Sequence, residues 1–279
     1  MHKVLQVFLW WTGVALAQAV IADEPLRTAV DTTFAPHAMP RLEGGLQGFN
    51  VDLGEALAKQ MGREIIIEGA EFSGLIPGLN AGKYDFIVAP VTVTEERSKT
   101  LLFTEGYLDS DYTFVQKKGV APITDLAGLS GMKLAVNKGS NYESWARQNA
   151  KHYGFTFDVY SSNADAIQAL LSGRADANLG GNTVSAFAAR RNPLLQTSYT
   201  IKTGQVWAIP LRHDDVQGRA RVDQALKCLK QNGTVAALAK KWFGLEPGPT
   251  SASVQIMPGH GVPGMAGYDS TPVTLECSA

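Results

Sequence analysis

Residues 83–107 read KYDFIVAPVTVTEERSKTLLFTEGY, and this stretch sets the terms for the rest of the chain. Phe86, Ile87, Val88 and Ala89 form an apolar run of strand length that Pro90 stops. Thr92, Thr94, Glu95, Glu96 and Arg97 follow, with threonines able to cap and acids placed for a first helical turn. A strand that ends at a helix start presents unpaired backbone N–H groups and the positive end of a dipole, a setting suited to an anion. Arg97 adds a planar guanidinium that can grip a carboxylate with two parallel hydrogen bonds. A lone Thr-x-x-Arg is more often a capped surface turn. Its place after a buried-looking strand favours a site.

At 279 residues the chain can bury one large core or two medium ones. Its formal net charge of −1 gives no footing for a polyanionic partner such as nucleic acid. The first 22 residues read as an export signal: Lys3 supplies the positive start, an apolar run from Val4 to Ala19 follows, and Ala22 is a small residue at the cut. A membrane-spanning helix needs about 20 apolar residues, and Gln18 interrupts this run. The product is therefore expected free in the periplasm, an oxidising compartment. Two cysteines, Cys228 and Cys277, then read as one disulfide that pins the C-terminal segment. Without a CxxC or histidine-rich spacing, no metal site or cofactor is expected.

Further strand-to-loop-to-helix turns recur along the chain. A first strand over 26–30 runs into Asp31-Thr32-Thr33-Phe34-Ala35-Pro36, and a helix follows with Asn50 as its expected N-cap. A strand over 65–68 leads to a helix that begins near Phe72. In the second half, Lys133-Leu134-Ala135-Val136 precedes Asn137-Lys138-Gly139-Ser140-Asn141-Tyr142-Glu143, where Gly139 allows close backbone approach and Ser140 or Asn141 can cap. Residues 246–279 contain five prolines and five glycines, too many for regular elements.

These motifs resemble the periplasmic amino-acid-binding proteins of ABC importers, extracellular solute-binding family 3. The likeness rests on APVTVTEERSKTLLFTEGYL, on D-T-T-F-A-P, on G-F-N-V-D-L, on G-S-N-Y-E, on G-R-A-D-A and on the closing TVAALAKKWF, and it covers residues 26–245. It implies an α/β, two-lobed type II binding-protein fold with two hinge crossings. Lobe 1 would comprise 26–111 and 206–245, lobe 2 would comprise 112–205, and 246–279 would be a tail. It also implies that Thr92 and Arg97 hold a ligand carboxylate, helped from the far lobe by Ser140 and Asn141. Phe34 and Phe72 would pack the ligand's body, with Tyr142 and Trp207 as further candidates. The chain departs from the pattern at three places: His37 stands where an aromatic usually follows the proline, Asn50 replaces an aspartate, and Gly181 replaces the aspartate that pairs with the ligand's ammonium. Asn182 could accept one hydrogen bond there but cannot neutralise charge. Asp31 and Glu71 are the nearest acids to offer a cationic group.

The function implied is capture of an amino acid or related small carboxylate by a monomer that delivers it to an inner-membrane ABC permease, with no chemistry performed. With Gly181 in place, either another group meets the ammonium or the ligand lacks a free α-amine, as a betaine does. A dehydratase-like enzyme of the same fold is the alternative, disfavoured because the loop 180–183 has no general acid. An accessory or sensor role is a third reading.

Overall fold

The computed structural model describes residues 24–244 and 246–277, so the expected export signal lies outside the described residues. Strand β1 (Leu26–Asp31) pairs in parallel with β4 (Ile65–Ala70). Between them come a short hairpin of β2 (Met39–Pro40) and β3 (Leu46–Gln47), then helix α1 (Phe49–Gln60). Phe49, Leu53 and Leu57 recur on one face of α1 and are fully buried, which is what fixes the helix against the sheet. Helix α2 (Phe72–Asn80) follows, then β5 (Val91–Thr92), α3 (Glu95–Ser98), β6 (Leu101–Phe103) and β7 (Leu108–Asp109).

The chain then builds a five-stranded sheet in the order β10-β9-β11-β8-β12. Its members are β8 (Tyr112–Lys117), β9 (Lys133–Asn137), β10 (Thr156–Tyr160), β11 (Ala177–Gly181) and β12 (Leu195–Ile201). Helices α4 (Asn141–Tyr153), α5 (Asn163–Leu171) and α6 (Asn182–Arg191) connect them. β9 runs parallel to β10 and β11, whereas β8 is antiparallel to both of its neighbours. The return crossing brings β13 (Val206–Ala208) between β5 and β7, and β14 (Pro210–Arg212) against β6. Helices α7 (Val216–Gln231) and α8 (Thr234–Phe243) complete the first half.

The buried clusters divide in the same way. Two contain residues from 29–108 and 206–243, and the others come from 112–201, with Phe34 alone reaching across. The fold is two-lobed and α/β.

Three local expectations need correction. Residues 86–89 are not a ladder strand: the Thr28 hydroxyl donates to the Phe86 carbonyl (2.8 Å) and accepts from the Val88 N–H (3.0 Å). A side chain thus replaces the ladder bonds on that edge. Asn50 does not cap α1; Gly48 holds that position, and the Asn50 side chain is turned inward, where it donates to the Val88 carbonyl and the Tyr107 hydroxyl. The helix after Thr94 is a single turn, although Thr94 caps it as expected through the Arg97 N–H (3.2 Å).

The proline-rich tail has no helix or regular strand among the described residues, only a β-bridge between His260 and Asp269. Cys228 and Cys277 are disulfide-bonded, and Val262 and Met265 pack onto the core beside Phe103 and Leu101.

Candidate functional site

The strand-to-helix turns of both lobes face one another across a small, nearly closed cavity of about 10 Å3. Phe34, Phe72, Pro90, Thr92 and Arg97 line it from one side, and Asn137, Ser140, Asn141 and Tyr142 from the other. A more open cleft of about 480 Å3, beside Arg27, Arg63 and Asp85, is built from the first lobe alone. The small cavity is lined from both lobes and holds Arg97.

Arg97 is its only lining cation, and no carboxylate pairs with it among the described residues. Its guanidinium donates to the Thr92 carbonyl (2.9 Å) and, across the cleft, to the Gly139 carbonyl (3.1 Å). The face of Phe72 lies under it, 5.8 Å from ring centroid to guanidinium carbon. Of five N–H donors, two are used by these bonds and three remain. Burial lowers the Arg97 pKa from its ordinary value, yet a guanidinium stays charged at any working pH. An uncompensated cation held this way favours an anion beside it.

The neutral groups are unequally available. Ser140 caps α4 by accepting from the Glu143 N–H (3.2 Å) and donates to the Asn137 carbonyl (2.5 Å), so its hydroxyl is engaged. Asn141 donates to the Tyr112 hydroxyl and to Gln205 Oε1 (3.2 Å), tying α4 to the return crossing. Thr92 Oγ1 accepts from the Trp207 indole N–H (3.1 Å) and lies 3.1 Å from the Ser110 hydroxyl. Asn137 is only 2% exposed, and its Oδ1 has no hydrogen-bond partner. Burial raises the Tyr142 pKa, so that hydroxyl remains a neutral donor.

Gly181 explains itself by space. Its backbone is ordinary, but a Cβ built there would meet the Tyr142 hydroxyl at 2.7 Å and the Trp207 ring at 2.8 Å. Two aromatic side chains therefore occupy the volume that an acidic side chain at 181 would need. Asn182 is not among the residues lining the cavity; with Thr183 and Phe243 it lines two other pockets.

The comparisons with known proteins settle the family. Residues 26–245 match the bacterial extracellular solute-binding proteins, family 3. The chain belongs to that family. It is 29% identical over 233 residues to the L-arginine-binding protein of Pseudomonas aeruginosa, covering 81% of this chain and 90% of that one. It is 28% identical over 253 residues to the lysine/arginine/ornithine-binding periplasmic protein of Escherichia coli, covering 87% and 97%. Among solved structures, an ancestral arginine-binding protein bound to arginine superposes with a TM-score of 0.75 at 32% identity, covering 79% of this chain and 98% of that one. The relatives' names are those of binding proteins. Among the described residues no helix is long and apolar enough to cross a membrane.

In this solute-binding protein the sequence reading gave no role to Asn137 or Thr183, and it named His37 only as a departure from the pattern. Asn137 sits one residue before a turn whose capping pattern drew all the attention. His37 is fully buried; its Nδ1 donates to Asn50 Oδ1 (2.7 Å), and its Nε2 accepts from the Thr183 hydroxyl (2.7 Å) on the opposite lobe. That tautomer follows because the Asn50 amide nitrogen already donates elsewhere. Burial drives the imidazole pKa down to about 4, against the Asn50 bond, which pulls it up. The substitution of His37 for an aromatic was visible in the sequence, but its partner 146 residues away was not.

Proposed function

We propose that this protein captures a small carboxylate between its lobes and presents it to an ABC permease, without transforming it. The single observation that carries the reading is Arg97: a cation at a two-lobed cavity, fixed by backbone carbonyls from both sides and lacking any carboxylate partner among the described residues. A bound carboxylate would supply the missing charge and could use the remaining guanidinium N–H groups and the Thr92 hydroxyl. Phe34 and Phe72 supply apolar walls. The relatives' names support both halves of the reading, since they are binding proteins, several of them named for cationic amino acids or for ABC transporters. Asp31 keeps an unpartnered, buried carboxylate oxygen near exposed Glu71, but burial raises its pKa and it does not line the cavity. Export to the periplasm through cleavage after Ala22, and action as a monomer, belong to the same proposal.

Arg97→Ala tests it. Calorimetric titration of the mature protein against a panel of small carboxylates should find a ligand, and the variant should bind that ligand at least about a hundredfold more weakly, since a charge-assisted bidentate contact contributes roughly 3 kcal/mol. Equal affinity in the variant would sink the assignment.

A further inference from the structure

Resting on that reading of the cleft, we propose that the ligand is a small hydroxycarboxylate rather than an amino acid. The cavity wall holds one cation, neutral polar groups and apolar rings, with no carboxylate among its lining residues. A carboxylate on Arg97 is therefore matched, whereas an ammonium on the same ligand would be buried without a counter-charge. The place from which a side chain at 181 could answer it is filled by the Tyr142 hydroxyl and the Trp207 ring. On Phe72 a quaternary ammonium would meet a ring that already carries the Arg97 guanidinium.

The second observation is independent of charge. Asn137 Oδ1 is buried at the cavity and accepts no hydrogen bond. Unmet buried acceptors are uncommon in native proteins, and one that lines a ligand cavity asks for a donor from the ligand. The Ser140 hydroxyl cannot serve, because it is committed to the Asn137 main-chain carbonyl. A neutral hydroxyl satisfies the amide oxygen without importing charge. Its own oxygen can accept in turn from Tyr142, which stays protonated. A keto oxygen would bring a second acceptor to Asn137, and an ammonium would bring an unpaired cation. Carboxylate on Arg97 with hydroxyl on Asn137 meets both unsatisfied groups together.

The test uses the purified full mature chain and ligands matched in skeleton: glycolate, glycine and glyoxylate, then lactate, alanine and pyruvate, titrated calorimetrically. The expected result is that a hydroxy acid binds at least tenfold more tightly than both its amino and its oxo counterparts. In Asn137→Ala the preference of hydroxy over oxo acid should collapse to near unity, while Arg97→Ala should lose both. An amino acid that binds as tightly as the hydroxy acid overturns the proposal and leaves carboxylate capture standing. An oxo acid that binds as tightly overturns the role given to Asn137. Arg97-dependent binding of some other carboxylate, with none of these six, also overturns it. No Arg97-dependent binding of any carboxylate overturns the cleft reading itself.

Discussion

Two buried sets of charges in this protein are built in opposite ways. At the cleft, Arg97 stands without an acidic partner among the described residues. Under the tail, Glu105, Asp223, Lys227 and Lys230 are almost wholly buried and fully interconnected. Glu105 binds Lys227 through one carboxylate oxygen and Lys230 through the other (2.6 Å), and accepts from the Met257 N–H (2.7 Å). Asp223 accepts from the Glu105 N–H (2.6 Å) and from His260 Nδ1 (2.8 Å), and it lies 3.4 Å from Lys227. Tail carbonyls finish the set: Lys227 donates to Met257 (2.9 Å), and Lys230 to Gln255 (2.9 Å). The tail is thus the lid of a closed network, not a loose end. A complete buried network holds structure in place; an incomplete one leaves room for a ligand.

The contrast can be broken from either side. Glu105→Gln removes the charge that both lysines share, and loss of one partner from a buried ion pair costs about 3–5 kcal/mol. Urea denaturation should show a loss of that size, whereas a loss below about 1 kcal/mol would mean the network is not buried as described. His37 sharpens the comparison, because among the described residues its ring hydrogen-bonds only to the neutral side chains of Asn50 and Thr183, and its other neighbours include the rings of Phe34, Phe49, Trp207 and Phe243. Its folded pKa, lowered to about 4, lies under the unfolded value near 6.5. The unfolded chain therefore binds more protons between those values, and stability falls as pH drops from 6.5 to 4. The contribution reaches ~3 kcal/mol at the acid end. The difference in stability between the parent and His37→Asn should shrink by that order across the window; a pH-independent difference would remove His37 from the account.

Cys277→Ser frees the end of the tail, 49 residues from Cys228, and should cost about 2–3 kcal/mol by thermal or urea melts. If the network alone held the tail, the loss would be near zero. Arg97→Ala gives the smallest change in stability, within about 1 kcal/mol, because its two bonds go to backbone carbonyls near the cleft and no buried carboxylate is left unpaired. That small effect beside a large loss of binding is the signature of an incomplete charge set.

Much of this was legible beforehand. The alternation of apolar runs with capped helix starts is local chemistry, so α8 appears at residues 234–243 and Ser140 and Thr94 cap where their spacing says they should. Phe34, Phe72, Thr92, Arg97, Ser140, Asn141 and Tyr142 are brought to one cavity, because each lies in a strand-to-helix turn and such turns gather at one edge of an α/β sheet. Asn182 lies at such a turn too, at the start of α6, but it lines other pockets with Thr183 and Phe243.

By itself the sequence determined most of the strands and helices and the caps at Thr94 and Ser140, since those depend on residues within a few positions of one another. Only the tertiary structure decided which polar groups are satisfied. Asn50 reads as a cap and serves as a buried bracket for His37 and Val88; Ser140 reads as a ligand donor and spends its hydroxyl on Asn137. Glu105 and the lysines of α7 carry no local mark of burial, yet they are sealed by a tail that composition marks only as irregular. Whether a buried donor or acceptor is free depends on partners brought from far along the chain, and no local pattern encodes that.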